Sequence, residues 1–94
     1  AKLAVELDPY NQNNLDTYAW VLYKLKRYEE AYEWIEKAYN NGGRDSGVVL
    51  EHYGDILYKL GRKDEALDYW KQALTKDDYS ELLNKKVDDQ TLYE

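Results

Sequence analysis

The sequence predicts an all-α chain of antiparallel helix hairpins, repeated and stacked along its length. Three observations predict it: the 94 residues match themselves at an offset of 35, apolar residues inside each copy recur at helical spacing, and turn-forming residues fall where hairpins must reverse. The offset pairs Leu15 with Leu50, Tyr18 with Tyr53, Leu22 with Leu57, Tyr23 with Tyr58, Lys24 with Lys59 and Leu25 with Leu60. It continues through Arg27 and Arg62, Glu30 and Glu65, Ala31 and Ala66, and Ala38 and Ala73, giving 10 identities in the 27 pairs from Leu15 to Asn41. Ala4 precedes Ala38 by 34 residues, which marks the tail of another copy.

Each element follows in order. Residues 1–9 read as the end of a preceding repeat, an apolar run Leu3, Ala4, Val5, Leu7 stopped by Asp8 and Pro9. Residues 12–45 form the first full repeat. Asn11 to Asn14 offer N-caps, and Leu15, Tyr18, Ala19, Leu22 and Leu25 make one helical stripe. Lys26 stands at the turn, and Ala31, Trp34, Ile35, Ala38 and Tyr39 make the stripe of a second helix. The junction from Asn40 to Gly47 supplies Asp45 or Ser46 as the next cap.

Residues 47–78 repeat the scheme with Leu50, Tyr53, Gly54, Leu57 and Leu60, then Ala66, Tyr69, Trp70, Ala73 and Leu74. Gly61 occupies the position of Lys26 and is expected to close its helix better, because glycine enters the left-handed region freely. The acidic pairs Glu29, Glu30 and Asp64, Glu65 sit where the helix dipole favours negative charge. Gly54 costs ~1 kcal/mol in a helix interior, so a neighbouring helix needs the space, with Ala31 and Ala66 the expected neighbours. Residues 79–94 read as a capping helix and tail: Asp78 and Glu81 resemble a capping box, the helix covers 79–87, and 88–94 fray.

Composition narrows the function classes. With no Cys, the chain has no disulfide, thiol nucleophile or thiolate metal site. A net charge of −6 disfavours nucleic acid, and no window is apolar enough for membrane insertion. His52 is the sole histidine; Asp55 at i+3 lies within reach of a hydrogen bond to it, with no nucleophile placed beside them. An exposed surface histidine, no enzyme activity, no metal and no cofactor are therefore expected. Glu33 with Lys37 and Glu81 with Lys85 read as i,i+4 pairs on solvent-facing sides.

The pattern of Leu50, Tyr53-Gly54, Leu57, Ala66, Trp70 and Ala73, matched by Leu15, Tyr18-Ala19, Leu22, Ala31, Ile35 and Ala38, resembles the tetratricopeptide repeat (TPR) family. Ala4 to Pro9 looks like the end of a preceding repeat. Leu replaces the family's usual first Trp, and Asp78 its proline. The resemblance covers residues 1–78. It implies a short right-handed α-solenoid with a C-terminal capping helix, as at the C-terminal end of a longer bacterial TPR protein.

It also implies a site, since first helices of such repeats line a concave groove for a peptide-like segment. The residues matching groove positions are Asn13, Asp16, Thr17, Trp20, Tyr23 and Lys24, then Glu51, His52, Asp55, Tyr58 and Lys59. Spacing supports this independently, because Asp16, Trp20, Tyr23 and Lys24 lie at i, i+4, i+7 and i+8 and the second copy repeats it. A carboxylate clamp is disfavoured: Asp16 and Glu51 stand where that clamp needs a base, and Trp20 and Asp55 where it uses Asn. The expected function is a non-catalytic scaffold for a neutral or basic protein segment anchored on Trp20, Tyr23 and Tyr58. The alternative is a structural end-cap of a longer array, or a homo-oligomer formed through the apolar surface of residues 1–8.

Overall fold

The apolar stripes become six helices in the computed structural model, which describes residues 2–94. They are α1 (Lys2–Leu7), α2 (Gln12–Lys24), α3 (Tyr28–Asn40), α4 (Gly47–Lys59), α5 (Lys63–Ala73) and α6 (Leu83–Asp89), with a 3₁₀ turn at Gly43–Asp45 before α4. Helices α2 and α3 form one hairpin and α4 and α5 another; α1 packs on α2, α3 on α4 and α5 on α6, so the elements stack in chain order. The body measures 39 × 26 × 19 Å.

The two hairpin turns close alike despite their different residues. Lys26 sits at φ 63° and Gly61 at φ 81°. In the first turn the N–H of Arg27 donates to Leu22 O and that of Lys26 to Tyr23 O; in the second, Arg62 donates to Leu57 O and Gly61 to Tyr58 O. Both are Schellman closures, and Lys26 bears left-handed strain that Gly61 escapes. Asn11 caps α2 by accepting from the N–H of Asn14, and Ser46 caps α4 by accepting from Val49.

Between the stripes lies a core of Leu15, Leu22, Ile35, Leu50, Leu57 and Trp70, each at most 1% exposed. One facing pair of core residues changes in size between the hairpins. Ala19 and Ile35 in the first become Gly54 and Trp70 in the second. A Cβ on Gly54 would collide with the Trp70 indole, so the larger ring is admitted by deleting a methyl across from it. Ala66, one of the neighbours expected from the sequence, stands next nearest after the indole through its backbone oxygen. Tyrosines fill the seam between hairpins: Tyr53 stacks on Tyr69 at 4.1 Å, and Tyr39 and Tyr32 meet Tyr53 edge-on at 5.7 and 5.8 Å.

The terminal segment departs from expectation. Asp78 does not open a capping box with Glu81. Its carboxylate instead accepts from the Gly47 N–H at 2.6 Å and the Ser46 hydroxyl at 3.0 Å, capping a helix begun thirty residues earlier. Burial acts to raise this carboxyl, but those donors outweigh it and hold it below the usual range. Helix α6 therefore starts at Leu83, without a side-chain cap, rather than at 79. Nor do residues 88–94 fray: Tyr93 donates to Asp89 at 2.6 Å, Thr91 bonds Tyr58 at 2.9 Å, and Glu94 pairs with Lys59 at 2.8 Å. The local ion pairs among described residues are Arg27 with Glu30 and Arg62 with Glu65, while Lys37 lies over the Trp34 ring instead of pairing with Glu33.

Candidate functional site

The first helices of the two hairpins, α2 and α4, bring the sequence-selected residues onto adjoining faces, and the terminal segment 78–94 lies against the second of them. On α2, Asn13 and Thr17 are exposed. Trp20 stacks on Tyr23 at 4.3 Å and 5°, and on His52 of α4 at 3.7 Å and 13°. Lys24 holds its ammonium 5.1 Å from the Trp20 ring centre. His52 Nδ1 lies 2.8 Å from Asp16 Oδ1, so its carboxylate partner is on the neighbouring repeat and not Asp55 on its own helix. It is half-buried within an aromatic stack, not free on the surface.

On α4 every sequence-selected groove residue besides His52 is already engaged by the terminal segment. Glu51 accepts from the Ser80 N–H at 2.7 Å and from the Ser80 hydroxyl, and pairs with Lys86 at 2.7 Å. Asp55 accepts from Lys86 at 2.9 Å and from the Trp70 indole N–H at 3.0 Å. Tyr58 meets Thr91, and Lys59 meets Glu94. Glu51, Asp55, Asp16 and Tyr23 are buried, contrary to their reading as open groove positions. The reason is electrostatic and steric together: one buried lysine supplies the countercharge that lets two carboxylates leave water.

Lys86 was not picked out by the sequence reading, although a signal for it exists. It lies 35 residues beyond Glu51, which lies 35 beyond Asp16, so the repeat continues into α6 with the charge reversed. Ser80, Tyr93 and Glu94 carried no comparable pattern.

Burial would raise Glu51, but hydrogen bonds from Lys86 and Ser80 prevail and hold its carboxyl low. Burial dominates at Asp55 and pushes it up to about 6, even with Lys86 alongside. The Tyr23 phenol is raised by burial first and by the nearby Glu94 carboxylate second. Its hydroxyl is buried, and no partner meets it in hydrogen-bond geometry.

A pocket of about 280 Å³ remains between α2, α4 and the terminal segment, walled by Trp20, Tyr23, Lys24, His52, Tyr93 and Glu94 among others. It joins an aromatic wall to a mixed-charge floor, an arrangement able to hold a side chain by stacking and ion pairing. Among the described residues no group of three or more His, Cys, Asp or Glu could hold a metal ion, and no helix is long and apolar enough to cross a membrane.

No curated relative matches the chain. A family model described as anaphase-promoting complex, cyclosome, subunit 3 matches residues 1–73, the stretch that contains both hairpins. That family is built of TPR-type repeats, which are typically non-catalytic and serve generally as protein–protein interaction scaffolds. On a match covering α1 through α5, and on the stacked hairpins that carry it, this chain belongs to that TPR-type repeat family.

Proposed function

We propose that the protein is a non-catalytic scaffold that holds an extended protein segment on its concave face, at the part of that face the terminal segment leaves open. The observation that carries this is the stack of Trp20 between repeats, with Tyr23 and His52 against it and exposed Lys24, Asn13 and Thr17 beside it. Rigid aromatic surface costs little conformational entropy to present and anchors binding segments well. The acidic surroundings favour a neutral or basic partner. Asp16 and Glu51 are unsuitable for testing by charge reversal, because both are buried and hydrogen-bonded, to His52 and to Lys86, and their loss would disturb the fold. Trp20→Ala and Lys24→Glu are suitable. Screening a displayed peptide library for binders, then measuring affinity for the variants, should show Trp20→Ala weakening capture at least tenfold with helicity unchanged. Binders indifferent to both variants would place the site elsewhere.

A second reading has its own observation. Helix α1 exposes Leu3 at 66% and Leu7 at 79%, apolar surface suited to self-association or to stacking on a further repeat. Sedimentation across a hundredfold concentration range tests the self-association form, which a strictly monomeric chain excludes.

A further inference from the structure

The terminal segment is joined to the second repeat in two unlike ways. Up to α6 it is anchored from within: Leu83 is fully buried, Lys86 is 3% exposed between Glu51 and Asp55, and Asp78 caps the start of α4. At Gln90 the chain turns through φ 51°, and the N–H groups of Gln90 and Thr91 close α6 by donating to Val87 O and Lys86 O. This is the Schellman closure of the two hairpin turns over again. Beyond Thr91, no backbone hydrogen bond ties residues 92–94 to the body among the described residues.

Residues 91–94 meet the groove through side chains instead, in the manner of a bound segment. Thr91 Oγ1 lies 2.9 Å from the Tyr58 hydroxyl, and Glu94 pairs with Lys59 at 2.8 Å with side chains 43% and 31% exposed. So open a pair contributes little and is screened by salt. Glu94 also reaches the first repeat: Lys59 foremost, then Tyr23 and Lys24, hold its carboxyl below the ordinary range. Leu92 adds a half-buried contact with the core, while Tyr93 leans back on α6, its ring under the Lys85 ammonium at 4.3 Å and its hydroxyl donating to Asp89. Tyr93 and Glu94 share one pocket wall with Trp20, Lys24 and His52, so these residues lie over the seam between the repeats. The Tyr58, Lys59 pair they cover is the 35-residue counterpart of Tyr23, Lys24.

We propose that residues 91–94 form a releasable strap: tied, it ends the binding face at Trp20 and His52, and released, it adds Tyr58 and Lys59 of the second repeat to that face. This rests on the concave-face reading above. The hinge is Gln90, exposed and in the left-handed region that glutamine enters at a cost. The strap competes as an intramolecular ligand at an effective concentration of roughly millimolar order, so a partner reaches its full affinity only in the fraction of molecules where the strap is open. The buried anchor of Leu83 and Lys86 stays in place throughout.

The test compares the unaltered chain with the triple variant Thr91→Ala, Leu92→Ala, Glu94→Gln, which removes the three ties and leaves the anchor untouched. Heteronuclear NOEs of the 91–94 amides should fall and the Tyr58 ring signals should shift, with the helical spectrum retained. Tail amides that remain as ordered as the helices, or loss of the helical spectrum, overturn the strap whatever binds the face. Twelve-residue peptides are then selected from one displayed library against each form. Those selected on the variant should bind it about tenfold more tightly than the unaltered chain and shift Trp20 and Tyr58 together; those selected on the unaltered chain should shift Trp20 and leave Tyr58 unmoved. Equal affinity of the variant-selected peptides for both forms overturns the strap and leaves the concave-face reading standing. A face that binds no peptide in either form removes that reading and the strap's role with it, even where the tail amides show release.

Discussion

The two repeats share their turns, their stripes and ten identical residues, yet the matching faces of α2 and α4 are in opposite states. The second is closed by its own chain: Ser80, Lys86, Thr91 and Glu94 engage Glu51, Asp55, Tyr58 and Lys59. The first keeps Lys24, Asn13 and Thr17 exposed and Trp20 half-buried, with Asp16 and Trp20 both meeting the next helix at His52. The difference teaches that a repeat's face is set by what stacks after it. The acidic pair Glu51 and Asp55 of the second repeat seats Lys86 of α6, whereas Trp20, which matches Asp55 in the first repeat, meets no cation of the terminal segment.

Changes that undo this asymmetry should act in a definite order. Lys86→Ala leaves Glu51 and Asp55 buried without a countercharge and should cost about 3–5 kcal/mol of unfolding free energy in urea titration. A loss under about 1 kcal/mol would mean the terminal segment contributes little to closing the second face.

Next comes pH. Asp55 rises from an ordinary 3.8 to about 6 in the folded chain, so between those values the folded protein holds a proton that the unfolded chain has lost. This group therefore favours folding below about pH 4, and its contribution, on the order of 2–3 kcal/mol, disappears as pH climbs through 6. Glu51 works oppositely, because its carboxyl is held below its ordinary value; its stabilisation is present above that value and lost as the pH falls through the folded one. Asp55→Asn retains an acceptor for the Trp70 indole and should abolish the decline between pH 4 and 6. Chemical denaturation at half-unit intervals compares the two slopes.

Packing gives the third effect. Gly54→Ala should cost about 1–3 kcal/mol by driving a methyl into the Trp70 ring. Combined with Trp70→Ile, which copies the Ala19 and Ile35 pair of the first repeat, it should recover part of that loss, a coupling that a double-mutant cycle measures. The smallest effect belongs to the turns: Lys26→Gly should raise stability by about 0.5–1 kcal/mol by relieving left-handed strain, while Gly61→Ala lowers it similarly.

The fold was legible because its period is written in residues that must be buried. Leu15, Leu22, Leu50 and Leu57 can occupy only the inner stripe, and the breaks at Lys26 and Gly61 fix the hairpins. The candidate site was legible by position and less so by state. Periodicity put Glu51, Asp55 and Tyr23 on the helix faces that line one pocket, but exposure depends on the terminal segment, whose weak stripe of Leu82, Leu83 and Val87 conceals that Leu83 and Lys86 are both buried. Long-range capping was equally invisible, since Asp78 bonds a helix start some thirty residues away while standing where a local cap is expected. His52 shows the same limit, its partner being Asp16 on the preceding repeat and not Asp55 one turn along its own helix.

The proposed binding surface is the open face of the first repeat and its seam with the second. Backbone and indole chemical-shift mapping on the whole chain, with a peptide selected from a library, tests it most directly. Shifts should concentrate at Thr17, Trp20, Lys24 and His52, with Tyr58 and the α5 helix unmoved. Shifts confined to α1, α3 or α5, with Trp20 and His52 silent, would contradict it.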